Sequence, residues 1–253
     1  MRNVRARMSY QGVIQIVQFN WRSYVAAVLG VGIAVIASPI LPYPARLMVM
    51  VCALPPLFWL VSSLIVSHYV YDRSQLYEFN WVDEVFPLAP HNWINIHSGL
   101  DETSELLAAK FPGADSEAVD IYDPEVMTEP SIAIARHLKS SPIHATAARY
   151  DALPFATGSI DAAFVIFSAH ELRRHHQRVT FFTEIARILT PGGNIILVEH
   201  SRDLWNFLAF GPGVFHFFSD RTWRRAAFDA ALIVHTECSI TPFVHVYNLR
   251  RTA

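Results

Sequence analysis

The chain has 253 residues, of which 52% are hydrophobic and 17% charged, and its formal net charge is −2. A charge so close to balance excludes a partner drawn by a global basic field, so no nucleic-acid partner is expected. Its two cysteines, Cys52 and Cys238, are poorly placed for a disulfide, and no cysteine–histidine spacing predicts a metal site; adjacent His175 and His176 point apart on a helix.

The mean hydropathy is +0.25, and the apolar excess is concentrated in residues 1–71. Residues 24–41 form an apolar run without charge, and residues 47–71 form a second with only His68 as a possible charge. A helix needs about 20 such residues to cross a hydrocarbon core of ~30 Å. The turn-like PYPAR at 42–46 separates the runs. The pair reads as a two-pass membrane hairpin. Arg2, Arg5, Arg7 and Arg22 precede the first run with no acid among them, and the connecting turn holds only Arg46. The arginine excess predicts a cytoplasmic N-terminus and, after two crossings, a cytoplasmic C-terminal domain on the cytoplasmic membrane. Pro55 and Pro56 predict a kink in the second helix; a re-entrant hairpin, or a helical cap on a soluble domain, are the competing readings.

Residues 72–91 are polar and aromatic and read as a linker with one short helix. An α/β pattern then fills 92–253. Strands are predicted at 93–97, 118–121, 143–148, 160–167 and 194–199, with helices at 102–111, 124–138 and 174–189 between them. Thr103 is a candidate N-cap for the first of these helices. Such alternation predicts a doubly wound, Rossmann-like sheet with helices on both faces. Segments 232–240 and 243–250 have no helix between them and close a seven-stranded sheet as an antiparallel hairpin turned at Thr241-Pro242. Ligands in such sheets bind at the carboxyl ends of the strands where strand order reverses. This directs attention to His97, Asp120 with Asp123, Asp151, and Ser168-Ala169-His170.

Two blocks, DALPF followed by IDAAFVIFSAHEL, and EIARILTPGGNIILVEH, stand in an order and spacing that resemble the class I S-adenosylmethionine-dependent methyltransferases, especially the quinone and lipid branch. The resemblance covers about 85 to 253. It implies S-adenosylmethionine as cofactor. It also implies that Asp120 (with Asp123 as alternative) accepts from the ribose hydroxyls, that Asp151, next to Ala152, binds the adenine amino group, and that the loop from Ser168 to Glu171 lies beside the sulfonium. A carboxylate suits a pair of hydroxyl donors because it offers two acceptor oxygens. The glycine-rich first loop of that family is altered here. Asn95 stands where an acid is expected, His97 and Asp101 replace glycines, and Gly99 alone is kept beside Ser98. Either the cofactor is held through side chains such as His97, Ser98 and Asp101, or it binds weakly, or the site has changed use.

Methyl transfer from a sulfonium asks mainly for proximity, orientation and a dry site. His170 is the candidate base for an acceptor that must lose a proton, with Glu199 and His200 at the end of the fifth strand as second choice. Residues 203–223 hold two tryptophans and five phenylalanines around Gly-Pro-Gly and lack a clean helical stripe. They read as a lid or membrane-dipping segment that admits a greasy acceptor from the bilayer. The functional expectation is a membrane-anchored methyltransferase acting on a hydrophobic acceptor such as a quinone, aryl lipid or polyketide-like product. The alternatives are a tethered non-catalytic scaffold and a nicotinamide enzyme, the second of which also lacks its glycine fingerprint.

Overall fold

The computed structural model describes residues 7–86, 89–138 and 143–252. Arg2 and Arg5 of the charge argument lie outside them. Two long helices open the chain, α1 (Gln11–Ala37) and α2 (Tyr43–Ser67), both long and apolar enough to cross a membrane. Their apolar side chains face outward: Ile36 is 78% exposed and Ile33 66%.

Helix α1 starts well before the predicted run. Its first turns are held from outside, because Asp72 accepts from the free amides of Gly12 (2.7 Å) and Val13 (3.4 Å). This does for α1 what an N-cap side chain does locally. Asn20 leaves helical geometry (φ −116°, ψ 18°) and breaks α1 into a polar beginning and an apolar remainder. Helix α2 runs through Pro55 and Pro56 without interruption and ends in a π-helical turn, His68–Arg73.

The described residues of 72–91 do not form a linker. Leu76, Phe79, Trp81, Val82, Val85 and Phe86 are all buried, and α3 (Val82–Val85) lies within this stretch. They pack with Trp93 and Phe164 on one face of the sheet, where a doubly wound domain needs a cover. The stretch reads as polar because Glu78, Asp83 and Glu84 lie between these anchors and are exposed, while Asp72 is turned inward to α1.

The sheet has seven strands in the order β3-β2-β1-β4-β5-β7-β6. They are β1 (Asn92–His97), β2 (Asp115–Asp120), β3 (Ala145–Ala147), β4 (Ile160–Ile166), β5 (Leu189–His200), β6 (Leu232–Thr241) and β7 (Val244–Arg251). The first five are parallel, and β7 runs antiparallel to both β5 and β6. The remaining helices are α4 (Ser104–Lys110), α5 (Pro130–His137), α6 (His175–Ile188), α7 (Leu204–Phe210) and α8 (Asp220–Asp229). The second core, on the face opposite Trp93, packs Phe181, Phe182 and Ile185 of α6 and Trp223 of α8 against β4 and β5.

Local chemistry moves several predicted boundaries. Helix α5 begins only at Pro130, because Asp123 holds a turn by accepting from the Glu125 amide at 2.9 Å. Strand β5 begins early, at Leu189, so the LTPGG segment belongs to it; Gly192 takes φ +84°, and the β4–β5 register slips between Ile160 and Ala162. Only glycine adopts such a φ without strain.

Candidate active site

The chain passes from β1 outward to β3 and returns to place β4 beside β1. The carboxyl ends of β1 and β4 therefore flank the point where strand order reverses. A cavity of about 730 Å³ opens there, within the range of small-molecule sites. Its floor is His97, Ser98 and Gly99 after β1, and Phe167, Ser168 and His170 after β4. Its roof is the amino-terminal hairpin: Gln15, Phe19 and Tyr24 from α1, and Trp59, Leu60 and Ser63 from α2. His200, Phe210, His216 and Phe217 close the remaining side.

The loop after β1 owes its path to side chains rather than to glycine flexibility. Asn95 is buried and its amide donates to Thr103 and Ser104 (2.8 Å each) and to Asp101 (3.2 Å). Asp101 in turn accepts from the backbone amides of Thr103 (3.1 Å) and Ser104 (3.0 Å). Asp101 therefore caps α4, and Thr103, the predicted cap, makes no such bond. Gly99 does not take a positive φ, and a β-carbon there would sit 3.5 Å from that of Ala135. Asn95 and Asp101 shape the loop and do not line the cavity, a correction to their expected role as cofactor contacts. His97, Ser98 and Gly99 do line it.

His97 has neither ring nitrogen bonded among the described residues although it is only 7% exposed. Burial pulls its pKa below the usual histidine value, against the pull of Asp101 and Asp120. The ring is thus a neutral, unsatisfied polar group at the cavity floor, which calls for a polar ligand.

The two expected nucleoside acids are at strand tips but already paired. Asp120 ends β2, accepts from the Tyr122 amide (3.0 Å) and binds Arg136 of α5 at 2.8 Å. Arg136 also lies over the Tyr122 ring, 4.2 Å from its centroid. Asp151 binds Arg149 through both oxygens at 2.8 Å, and Ala152 forms a one-residue bridge with Arg149. The guanidinium beside it holds the Asp151 carboxyl below the ordinary range. Neither acid, nor Asp123 or Ala152, lines the cavity. These arginines could not be paired with their acids from spacing alone.

The β4 and β5 tips converge. Glu199 accepts from the His170 amide (3.2 Å) and from its Nδ1 (2.8 Å), while His170 Nε2 is 3.2 Å from Glu171 Oε1. Both ring nitrogens face carboxylates, which only accept, so both carry protons. Burial lowers the His170 pKa, but Glu199 and Glu171 outweigh it and push it up to about 10. His170 is therefore a cation between two carboxylates with no free lone pair, and its expected role as a free base is corrected. Ser168 donates to the Ile96 carbonyl at 2.8 Å and ties the β4 end to β1.

His200 behaves oppositely. Its Nδ1 donates to the Phe243 carbonyl (2.8 Å), so Nε2 accepts from the Tyr71 hydroxyl (2.6 Å). The ring lies between those of Phe167 and Phe217, with centroids at 5.1 and 4.8 Å. Burial is the main reason its pKa falls to about 4, and nearby His170 lowers it further. Phe167 holds this stack from a left-handed backbone (φ +50°). That conformation costs a bulky residue on the order of 1–3 kcal/mol and tends to mark functional sites.

The sequence reading placed Glu171 only as the end of the loop after β4, and missed His216 and Glu102. Glu171 is 5% exposed and its Oε2 has no partner among the described residues. The His216 ring lies edge-on to His170 with centroids 5.0 Å apart. Burial, then His170, lowers its pKa to about 4. Glu102 receives Arg7 (2.8 Å), Gln11 (2.9 Å), Gln15 (2.8 Å) and Tyr77 (3.2 Å), which fastens α1 over the site. An acid just past the loop and two glutamines one helical turn apart were the available signal.

Residues 97–197 match the family described as methyltransferase domain. No curated protein matches the sequence. Among solved structures, the chain is similar to an S-adenosylmethionine-dependent methyltransferase from Aquifex aeolicus (16% identity, TM-score 0.52), covering 71% of this chain and 94% of that one. It is also similar to human N-acetylserotonin methyltransferase in complex with S-adenosylmethionine (12%, TM-score 0.54, 94% of this chain and 70% of that one). A third is geranyl diphosphate C-methyltransferase from Streptomyces coelicolor, in complex with Mg2+, geranyl diphosphate and S-adenosyl-L-homocysteine (15%, TM-score 0.51, 76% and 84%). At these identities the structures show a shared fold. Together with the domain match over residues 97–197, they support an S-adenosylmethionine-dependent methyltransferase domain, for which S-adenosylmethionine is the cofactor. The site suits that group: the cavity is large enough, and both nitrogens of His97 await a polar partner. When bound, the cofactor supplies an activated methyl group on its sulfonium.

Proposed function

We propose that the chain is a membrane-anchored methyltransferase whose hydrophobic acceptor reaches the site from the bilayer between α1 and α2. One observation carries this reading. A single cavity runs from the strand-tip loops at His97 and Ser168 up between the two apolar helices, to Ala27 on α1 and Pro56 on α2. A core helix of a soluble protein would be mostly covered, whereas the most apolar window of each helix is 6% buried. The exposed side chains of Leu204, Trp205, Leu208 and Phe215 extend the apolar surface across the mouth of the domain. Helix α7 is joined to α2 by the Ser62 hydroxyl on the Ala209 carbonyl (2.8 Å) and by the Trp59–Phe207 edge contact at 5.5 Å. The segment 203–223 thus sits where a lid facing a bilayer would be needed, and aromatic side chains are suited to that interface.

In this reading His97, Ser98 and Gly99 hold the amino-acid end of the cofactor, with Asp120 and Asp151 toward the nucleoside. The apolar body of the acceptor lies along Phe19, Trp59 and Leu60, and its reacting group meets the polar cluster of His170, Glu171 and His216. His200 keeps Tyr71 and Phe217 in place around it. A quinone, an aryl lipid or a polyketide-like product has this build, greasy at one end and oxygenated at the other. Dry walls and a fixed polar end provide the orientation on which the displacement depends.

The test uses full-length protein in lipid nanodiscs with radiolabelled S-adenosylmethionine. Phenols bearing long prenyl tails are compared with tail-less analogues. Long-tailed acceptors are expected to be preferred. Phe207→Ser with Phe210→Ser should reduce transfer to them and spare the water-soluble analogues. Equal loss on both substrate types would overturn entry from the bilayer.

A further inference from the structure

His170, Glu171 and His216 each offer a donor atom, and these atoms lie within 4.8 Å of one another. Two imidazoles and one carboxylate on one side, with open space on the other, is the arrangement that holds a reactive metal ion: three protein ligands and vacant positions for substrate. The cluster lines the cavity and so meets this description. We propose that these three residues form a binding site for one divalent transition-metal ion, placed to take an oxygen of the acceptor.

Three further features support a built site. Glu171 Oε2 is buried with no partner among the described residues, and a buried carboxylate oxygen without a donor is costly unless a cation or ligand meets it. The His170 Nδ1 is fixed by Glu199 at 2.8 Å, so the ring is already oriented for an ion that takes the place of the Nε2 proton facing Glu171; carboxylate-oriented imidazoles are the usual ligands of protein-bound metals. Arg173 donates from one nitrogen to the carbonyls of both His170 (3.1 Å) and His216 (2.6 Å). That bond staples the two ligand-bearing loops together, although they lie far apart in sequence. The Arg173 guanidinium is the competing charge nearby, and it is spent on those carbonyls and on the Phe218 ring at 4.5 Å. A second carboxylate, Glu129, is 3.9 Å from His216 Nδ1. Imidazole ligands select a first-row ion such as zinc, cobalt or iron(II) over magnesium, which prefers oxygen.

The role of the ion in methyl transfer rests on the proposed function; the binding site itself does not. The test therefore reads metal and cofactor separately. Full-length protein in detergent is stripped with a chelator and titrated with Co2+, followed by visible absorption, and then with Zn2+ by calorimetry. S-adenosylhomocysteine is titrated in the same preparation. One ion per chain is expected, with Co2+ bands of a nitrogen–oxygen site. Glu171→Gln and His216→Ala should each weaken it by about 100-fold or more, and Glu199→Gln by roughly 10–100-fold. Retained binding of S-adenosylhomocysteine marks the variants as folded. Should a variant not fold, zinc-edge X-ray absorption on the wild type must still show two imidazoles and an oxygen. Wild type that binds S-adenosylhomocysteine but no Co2+ or Zn2+ would overturn the metal site alone, as would His216→Ala binding either ion as tightly as wild type. Metal binding without S-adenosylhomocysteine binding would overturn the cofactor assignment instead.

Discussion

Helices α1 and α2 and strands β4 and β5 are built from the same kinds of residue and meet opposite fates. Phe164, Val165, Ile196 and Leu197 are 0% exposed, whereas Ile33, Val35, Ile36 and Leu54 are each more than half exposed. Composition therefore does not decide burial; what surrounds the element does. The strands are covered on both faces by helices and by residues 70–86. The hairpin has only its inner face covered, and that face lines the cavity. Apolar surface of this extent calls for another cover, which the proposed function assigns to a bilayer.

The contrast can be broken most forcefully in the core. Phe164→Ala should cost about 3–5 kcal/mol, because a filled site between sheet layers becomes a cavity. Ile36→Ala, at an exposed site, should change stability in detergent by less than about 0.5 kcal/mol. Denaturant melts of the two variants in the same detergent measure both. Similar losses would mean that α1 is packed against something in solution.

A second test addresses the seam between the regions, where Tyr71 donates to His200. The folded pKa of His200, about 4, lies below the ordinary histidine value, so folding favours the neutral ring. Its contribution is present above the unfolded value near 6.5 and is lost as pH falls through 4. The window is worth on the order of 3 kcal/mol. Burial sets most of this shift; His170 and His245 add to it, and the Phe243 carbonyl and Asn206 oppose it. His200→Gln should flatten the fall in stability between pH 6.5 and 4 relative to wild type, read from melting temperature across that range. An unchanged slope would place the acid sensitivity elsewhere.

The smallest effect is expected at the sheet edge. Arg136→Ala removes a partly exposed pair with Asp120, worth at most about 1 kcal/mol of stability. It also frees that carboxylate, so S-adenosylhomocysteine should bind up to ~5-fold more tightly. Weaker binding would show that Arg136 itself belongs to the cofactor site.

Much of this was legible in one dimension. Strand and helix alternation, the closing hairpin and two membrane-length helices follow from apolar periodicity, which reports local structure because 2.0- and 3.6-residue repeats each define one buried face. Strand tips were found because chain order sets where strand order reverses. His97, Ser98, Gly99, Ser168, His170 and His200 all line the cavity as their positions suggested.

Side-chain partners were not legible. That Arg136 holds Asp120 and that His216 joins His170 and Glu171 are settled by contacts between separate segments, while the inward turn of Asn95 and Asp101 and the Arg149–Asp151 pair depend on the path each loop takes. Residues 72–91 make the same point, since they look polar along the chain and become a core layer once a sheet face needs covering. Periodicity determines which elements form and in what order they can stack. Hydrogen bonds and charges are short-ranged, so which of them pair is decided only when folding brings the elements within a few ångströms.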